Sequence, residues 1–175
     1  MSRLSELNDY GFFASAGESR SVLNQQGISI IRLHQTSNES LQKAFASFVL
    51  YNVYQEMFIR GVQPGICNAV IFDEAHKASK LTLIGRMGKE CRKYGISLIV
   101  ASQEVKDFSP SLFAAISNYL LLRMTDTDAR VAAKNVAPAE TVVRVADRLK
   151  AMPKHHAMFF SEGSTRPETI ALLKL

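Results

Sequence analysis

Asp73 and Glu74 stand side by side at the end of an apolar run, Ala69-Val-Ile-Phe72. A short run of this kind reads as a buried strand. Parallel sheets hold their ligands just beyond the carboxyl ends of their strands. Two acids at such an edge have a defined chemical use. The first can hold the hydration shell of Mg²⁺, which keeps most of its waters and takes only one or two carboxylates from a protein. The second can polarise a water that attacks the γ-phosphate of a nucleotide. The same pair also suits the N-terminus of a following helix, where negative charge is stabilised. Taken alone, Asp73 and Glu74 fit both readings.

A second apolar run, Ile96 to Ala101, ends in Ser102-Gln103. A side-chain amide at the end of a neighbouring strand can hydrogen-bond both the γ-phosphate and the attacking water. By itself Gln103 reads as a surface loop amide; paired with the acids at this spacing, it reads as a sensor of the bound phosphate.

Together these residues carry a resemblance. The stretch Val70-Ile-Phe-Asp-Glu-Ala-His76, followed by Ile84-Gly-Arg-Met-Gly-Lys-Glu-Cys-Arg-Lys-Tyr-Gly-Ile-Ser-Leu-Ile-Val-Ala-Ser-Gln103, resembles the HerA/FtsK superfamily of DNA-pumping P-loop ATPases, including the HerA-like and conjugative-transfer members. Ser111 to Arg123, with Thr125-Asp-Thr-Asp128 behind it, continues in the same way, so the resemblance covers roughly residues 27–135. It implies that Asp73 is the Walker B residue for Mg-ATP, Glu74 the catalytic glutamate and Gln103 the strand-end glutamine. It further implies that Arg92 is the arginine a ring motor inserts into a neighbouring subunit's site, where it neutralises charge on the transferred phosphoryl. Arg86 and Arg123 are weaker candidates for that work, and Arg86, Arg92 and Lys93 also fit a solvated basic helix face. The implied cofactors are Mg²⁺ and ATP. The implied partners are copies of the chain or full-length subunits in a ring, and DNA, with no small-molecule substrate other than the nucleotide.

The chain departs from the family at one place. A P-loop needs G-x-x-x-x-G-K-S/T, so that backbone N–H groups wrap the phosphates and the lysine reaches their oxygens. None of the nine glycines supplies it. Gly85-Arg-Met-Gly88-Lys89 lies within a helical pattern and has Glu90 where Ser or Thr belongs, and Gly163-Ser-Thr-Arg166 has no lysine. In sheets of this class the Walker A strand runs centrally, between the strand of Gln103 and the strand around Leu121. The expectation is therefore the C-terminal, Walker B and sensor portion of a translocase that hydrolyses Mg-ATP only in the full ring. The alternative is a degenerate, non-catalytic subunit that acts through its partners. A DEAH-type helicase fragment shares Asp73-Glu-Ala-His76, yet that family has Ser-Ala-Thr where this chain has Ala101-Ser-Gln103, and it needs a second RecA-like domain.

The elements that must position these residues follow from periodicity. Residues 1–26 are rich in small and polar types and predict a loosely ordered lead-in, with a single α/β domain over 27–175. Ile28 to Leu33 predicts a buried strand. Thr36 and Glu39 suggest a capping box, and Leu41, Phe45, Phe48, Val49, Val53 and Met57 predict a helix over 38–60, ended by Gly61, Pro64 and Gly65. A helix over 78–94 buries Leu81, Ile84 and Met87 and stops at Gly95. Strands follow at 96–101 and 119–122, then a basic and apolar helix at 139–150. Two strands, His156 to Phe160 and Thr169 to Leu173, flank a turn at Glu162-Gly-Ser-Thr165. The whole predicts a mainly parallel RecA-type P-loop NTPase sheet flanked by helices on both faces, without its Walker A strand, and with a C-terminal β-hairpin.

The composition agrees with an ordered core: 47% hydrophobic, 21% charged, net charge +5. That charge permits contact with nucleic acid without demanding it. Met1 to Tyr10 has no apolar segment of the kind a secretory signal needs, and no apolar run reaches a membrane span of about 20 residues. Cys67 and Cys91 form no metal or redox spacing and predict reduced thiols in a cytoplasmic protein. His76, His155 and His156 fit no metal site, and Tyr51, Tyr54 and Phe58 recur at helical spacing, which predicts core packing rather than base stacking.

Overall fold

The computed structural model describes residues 21–24, 26–32, 38–73, 82–162 and 166–173. Two compact units divide the chain, one formed by Met1–Val70 with Cys91–Ser97 and the other by Ile71–Glu90 with Leu98–Leu175.

In the first unit, helix α1 (Glu39–Arg60) begins at Asn38, whose side chain accepts from the amides of Ser40 at 3.0 Å and Leu41 at 3.3 Å. Asn38 is therefore the cap; Thr36, expected in that role, lies outside the described residues. The buried stripe is Leu41, Ala46, Leu50, Val53 and Met57. Phe48, expected inside, is exposed, because the smaller Ala46 and Leu50 occupy the inward face. Each large apolar side chain so buried stabilises the unit by about 1.5–3 kcal/mol. The helix stops at Gly61, whose positive φ of 78° suits glycine and whose N–H reaches the carbonyls of Met57 and Phe58, both at 3.1 Å. α1 packs on a 3₁₀ turn, Cys91–Tyr94, and Phe58 meets Tyr94 edge-on at 4.9 Å.

Most of the predicted lead-in lies outside the described residues, but its end is fastened. The Glu56 carboxylate accepts from Ser21 Oγ at 2.9 Å, Val22 N at 3.1 Å and Leu23 N at 3.0 Å, and Leu23 is buried. Residues 28–32 do not form the predicted strand: Ile28 and Ile30 are 93% and 76% exposed. An apolar run becomes a strand only where another strand offers its backbone groups, and none among the described residues pairs with it.

Strands β1 (Asn68–Phe72) and β2 (Ile96–Val100) form a two-stranded sheet. Their starts meet where Gly95 O accepts from Cys67 N at 2.7 Å and Asn68 N at 3.1 Å. Their ends meet where Ala101 N donates to Phe72 O at 3.0 Å. Start pairs with start and end with end, so the two run parallel. Cover on both faces was expected, yet Ile71 is 68% and Ile99 48% exposed.

In the second unit, helix α2 (Thr82–Glu90) buries Ile84 and Met87 as expected and packs on the short α3 (Pro110–Phe113). The residues before Thr82 in the predicted helix, Leu81 among them, lie outside the description. A core of Val105, Phe113, Val145, Leu149, Met152 and Met158 closes around α4 (Asp126–Val136) and α5 (Val142–Lys150). α4 has no counterpart in the sequence expectations. Its inward face is Ala129, Ala132 and Ala133, all fully buried, and lets α5 approach closely. The predicted helix over 139–150 is a 3₁₀ turn, Ala139–Thr141, leading into α5.

The C-terminal hairpin is present as β4 (His156–Ser161) and β5 (Glu168–Ala171), its turn at 163–165 lying outside the described residues. β3 (Asn118–Leu121) joins it antiparallel, giving the order β3-β4-β5 with Leu120 opposite Phe159. The fold is thus α/β with one short parallel pair and one antiparallel sheet. Among the described residues β2 pairs only with β1, and β3 only with β4.

Candidate functional site

β1 and β2 finish level, because Ala101 N reaches Phe72 O at 3.0 Å. The residues that follow, Asp73 on one strand and Ser102-Gln103 on the other, leave the parallel pair at its carboxyl edge. This is the edge at which parallel α/β sheets hold ligands. Asp73 and Gln103 are both exposed, and the Ser102 hydroxyl accepts from Glu104 N at 3.4 Å. An exposed carboxylate beside an exposed amide suits a hydrated cation and a phosphate oxygen as partners. Glu74, with Ala75 and His76, lies outside the described residues.

Arg92 belongs to the first unit, on the exposed side of the 3₁₀ turn Cys91–Tyr94. Its backbone is held from several sides. Arg60 Nη2 donates to Tyr94 O at 2.6 Å while its Nη1 donates to the Asn68 side chain. Gln63 N donates to Lys93 O at 3.2 Å, and Gly95 N to Arg92 O at 3.1 Å. The turn therefore offers a long cationic side chain from a fixed base. Arg86 is exposed on α2, and Arg123 exposed just after β3.

Sequence reading missed the residues that fix this turn. Arg60 looks like an ordinary cation in the last turn of a helix, and Gly95 like a helix stop. The available signal was Gly95 itself, since a tight approach of two strand starts needs a residue without Cβ.

Among the described residues no group of three His, Cys, Asp or Glu side chains could hold a metal ion. His156 Nδ1 lies 3.1 Å from Lys154 O, and His155 occupies the preceding turn at φ 60°. Tyr54 meets Phe58 edge-on at 4.9 Å, but Tyr51 and Phe58 are 52% and 42% exposed, so the expected core packing of these rings is not met. Cys67 and Cys91 are free thiols, and no described helix is long and apolar enough to cross a membrane.

In fold the chain is similar to solved structures of a genome packaging NTPase and a conjugative coupling protein. The genome packaging NTPase B204 from Sulfolobus turreted icosahedral virus 2, in complex with sulfate, matches at a TM-score of 0.58 and 15% identity, over 75% of this chain and 63% of that one. The DNA-packaging ATPase B204 from Sulfolobus turreted icosahedral virus matches at 0.61 and 14% identity, over 99% and 78%. The bacterial conjugative coupling protein TrwB matches at 0.63 and 14% identity, over 77% of this chain but only 38% of its own. At such identities the likeness is one of fold. No protein-family model and no curated protein sequence matches the chain.

Proposed function

We propose that the chain is the Walker B and sensor portion of an ATP-driven DNA translocase of the HerA kind, working in a ring of like subunits. The observation that carries this reading is the level finish of β1 and β2, with Asp73 and Gln103 at one carboxyl edge. Complexes of fold neighbours support nucleotide as the ligand: B204 with AMPPCP and with ATP-gammaS, and TrwB with the GTP analogue GDPNP.

In this reading Asp73 holds the water shell of Mg²⁺, which when bound would offset charge on the phosphates. Glu74 accepts a proton from the attacking water, Gln103 orients that water against the γ-phosphate, and Arg92 reaches a neighbouring subunit's phosphates from its anchored turn. Because G-x-x-x-x-G-K-S/T is absent, the remaining phosphate grip comes from polypeptide beyond these residues.

The test is ATP turnover by an assembly that includes the missing phosphate loop. Replacing Glu74→Gln should leave nucleotide binding intact and lower turnover by about a hundredfold or more. Turnover at the unsubstituted rate would sink the assignment. The 175-residue chain alone should show no Mg-ATP binding that depends on Asp73; stoichiometric binding weakened by Asp73→Asn would mean that something other than a P-loop holds the phosphates at this edge.

The missing loop also favours a second reading, a non-catalytic subunit that lends Arg92 to an active partner. In a mixed assembly, Arg92→Ala on this chain alone should then abolish the partner's turnover. Unchanged turnover removes that role.

A further inference from the structure

A cavity of about 460 Å³ lies in the second unit, built from α5, the 3₁₀ turn before it and the approach to β5. That volume is within the range of small-molecule sites, roughly 300–1,000 Å³. Arg144 and Arg148 line it from one face of α5, one helical turn apart, and Arg166 lines it from the residues leading into β5. Phe160 of β4 and Pro138 supply apolar wall, and no carboxylate is among the described lining residues.

The charge arrangement is unusual for a helix surface. Like charges four residues apart repel. Two neighbouring cations are matched: Arg130 with Asp126 at 2.8 Å, and Lys150 with Asp126 and Asp147 at 2.9 and 2.8 Å. Arg144 and Arg148 make no ion pair among the described residues. Arg148 Nη2 donates to Thr169 Oγ1 at 2.8 Å, which aims the guanidinium and leaves its other N–H groups available. The Thr141 hydroxyl is committed to Pro138 O at 3.0 Å, so the donors this cavity offers are chiefly guanidinium groups.

We propose that this cavity binds a phosphate-bearing ligand, with Arg144 and Arg148 gripping the phosphate oxygens and the Phe160 wall receiving an apolar portion. Two planar guanidinium forks one helical turn apart on the wall of one concave space match a multiply charged phosphate in charge. A single carboxylate would leave most of that charge unanswered. The phosphate comes either from a free nucleotide or from a nucleic-acid strand. The elements that form the cavity contain neither Asp73 nor Gln103, so the site stands or falls independently of the Walker B reading.

Titration of the full chain with inorganic pyrophosphate, with magnesium-free ATP and with a labelled oligothymidylate of about twenty nucleotides, in about 50 mM salt, decides the matter. The expected result is binding of at least one probe, weakened by at least about tenfold in Arg144→Gln/Arg148→Gln. The control Lys134→Gln/Lys154→Gln removes the same charge from exposed sites away from the cavity and should change affinity by less than about twofold. Arg144→Gln alone, which breaks no hydrogen bond or ion pair among the described residues, should weaken binding without lowering the melting temperature. Binding of pyrophosphate and ATP but not the oligonucleotide identifies a free phosphate ligand; oligonucleotide binding that pyrophosphate displaces identifies a strand. No binding of any probe, equal losses in both double variants, or equal displacement by polyglutamate would overturn the proposal.

Discussion

Gly95 and Gly65 approach so closely that a Cβ placed on Gly95 would stand 2.8 Å from the Gly65 carbonyl oxygen. It would also stand 2.8 Å from Gln63 Cβ, and Gly95 has a φ of +74°, which L side chains rarely adopt. At this point the start of β2 meets the start of β1, and the turn bearing Arg92 is tied down.

Gly95→Ala should therefore cost about 3 kcal/mol or more, combining left-handed strain with a backbone clash. Urea unfolding measures it. An unchanged midpoint would mean that the two strand starts are not held as described.

Glu56 gathers three donors from Ser21, Val22 and Leu23. Glu56→Ala should free that segment at a cost of about 1–3 kcal/mol, since it strands two amides as well as removing a charged acceptor. Amide exchange at Val22 and Leu23 should speed up, while exchange in α4 and α5 stays as it was. Faster exchange throughout would contradict a local role.

Asp126 accepts from Lys150 and Arg130, and these hydrogen bonds hold its carboxyl below the usual carboxylate range. Its contribution is present above the unfolded value, about 3.9, and is lost as pH falls through the lower folded value. Lys150, bonded to Asp147 and Asp126, is shifted upward. Its contribution holds below about 10.4 and is lost as pH rises through the higher folded value. Melting temperatures of the parent and of Asp126→Asn should differ near neutrality and converge as acid protonates the aspartate. Salt should narrow the gap, because these ion pairs lie at the protein surface. A gap that persists at low pH would assign it to something other than charge.

Much of the architecture was legible because large apolar residues recur at clear periods: α1, α2, β2 and the β4–β5 hairpin all follow from them. α4 was not, because Ala129, Ala132 and Ala133 carry too little apolar surface to mark a face. Ile28 to Ile31 carries plenty, yet a strand also needs a pairing partner, which no local pattern reports. At the candidate site, Asp73 and Gln103 stood out as polar residues closing apolar runs. Arg144 and Arg148 did not, since two arginines on a helix read as solvated surface until β4 and β5 wall them in.

The three-stranded sheet also dictates an order of events. β4 and β5 adjoin in the chain, so their hairpin can close within microseconds. β3 reaches β4 only across the whole stretch containing α4 and α5, and that closure must await the packing of those helices. Pairing of Leu120 with Phe159 is thus among the last contacts to form. Leu120→Ala should accelerate unfolding and leave the folding rate nearly unchanged in stopped-flow measurements; a slowed folding limb would put β3 in the nucleus instead. The arginine-lined cavity, whose Phe160 wall lies on β4 and whose Arg148 is aimed by Thr169 of β5, draws its lining from the hairpin, from α5 and from the end of α4 with the turn that follows, and none of it from β3, so it can take shape before the sheet is complete.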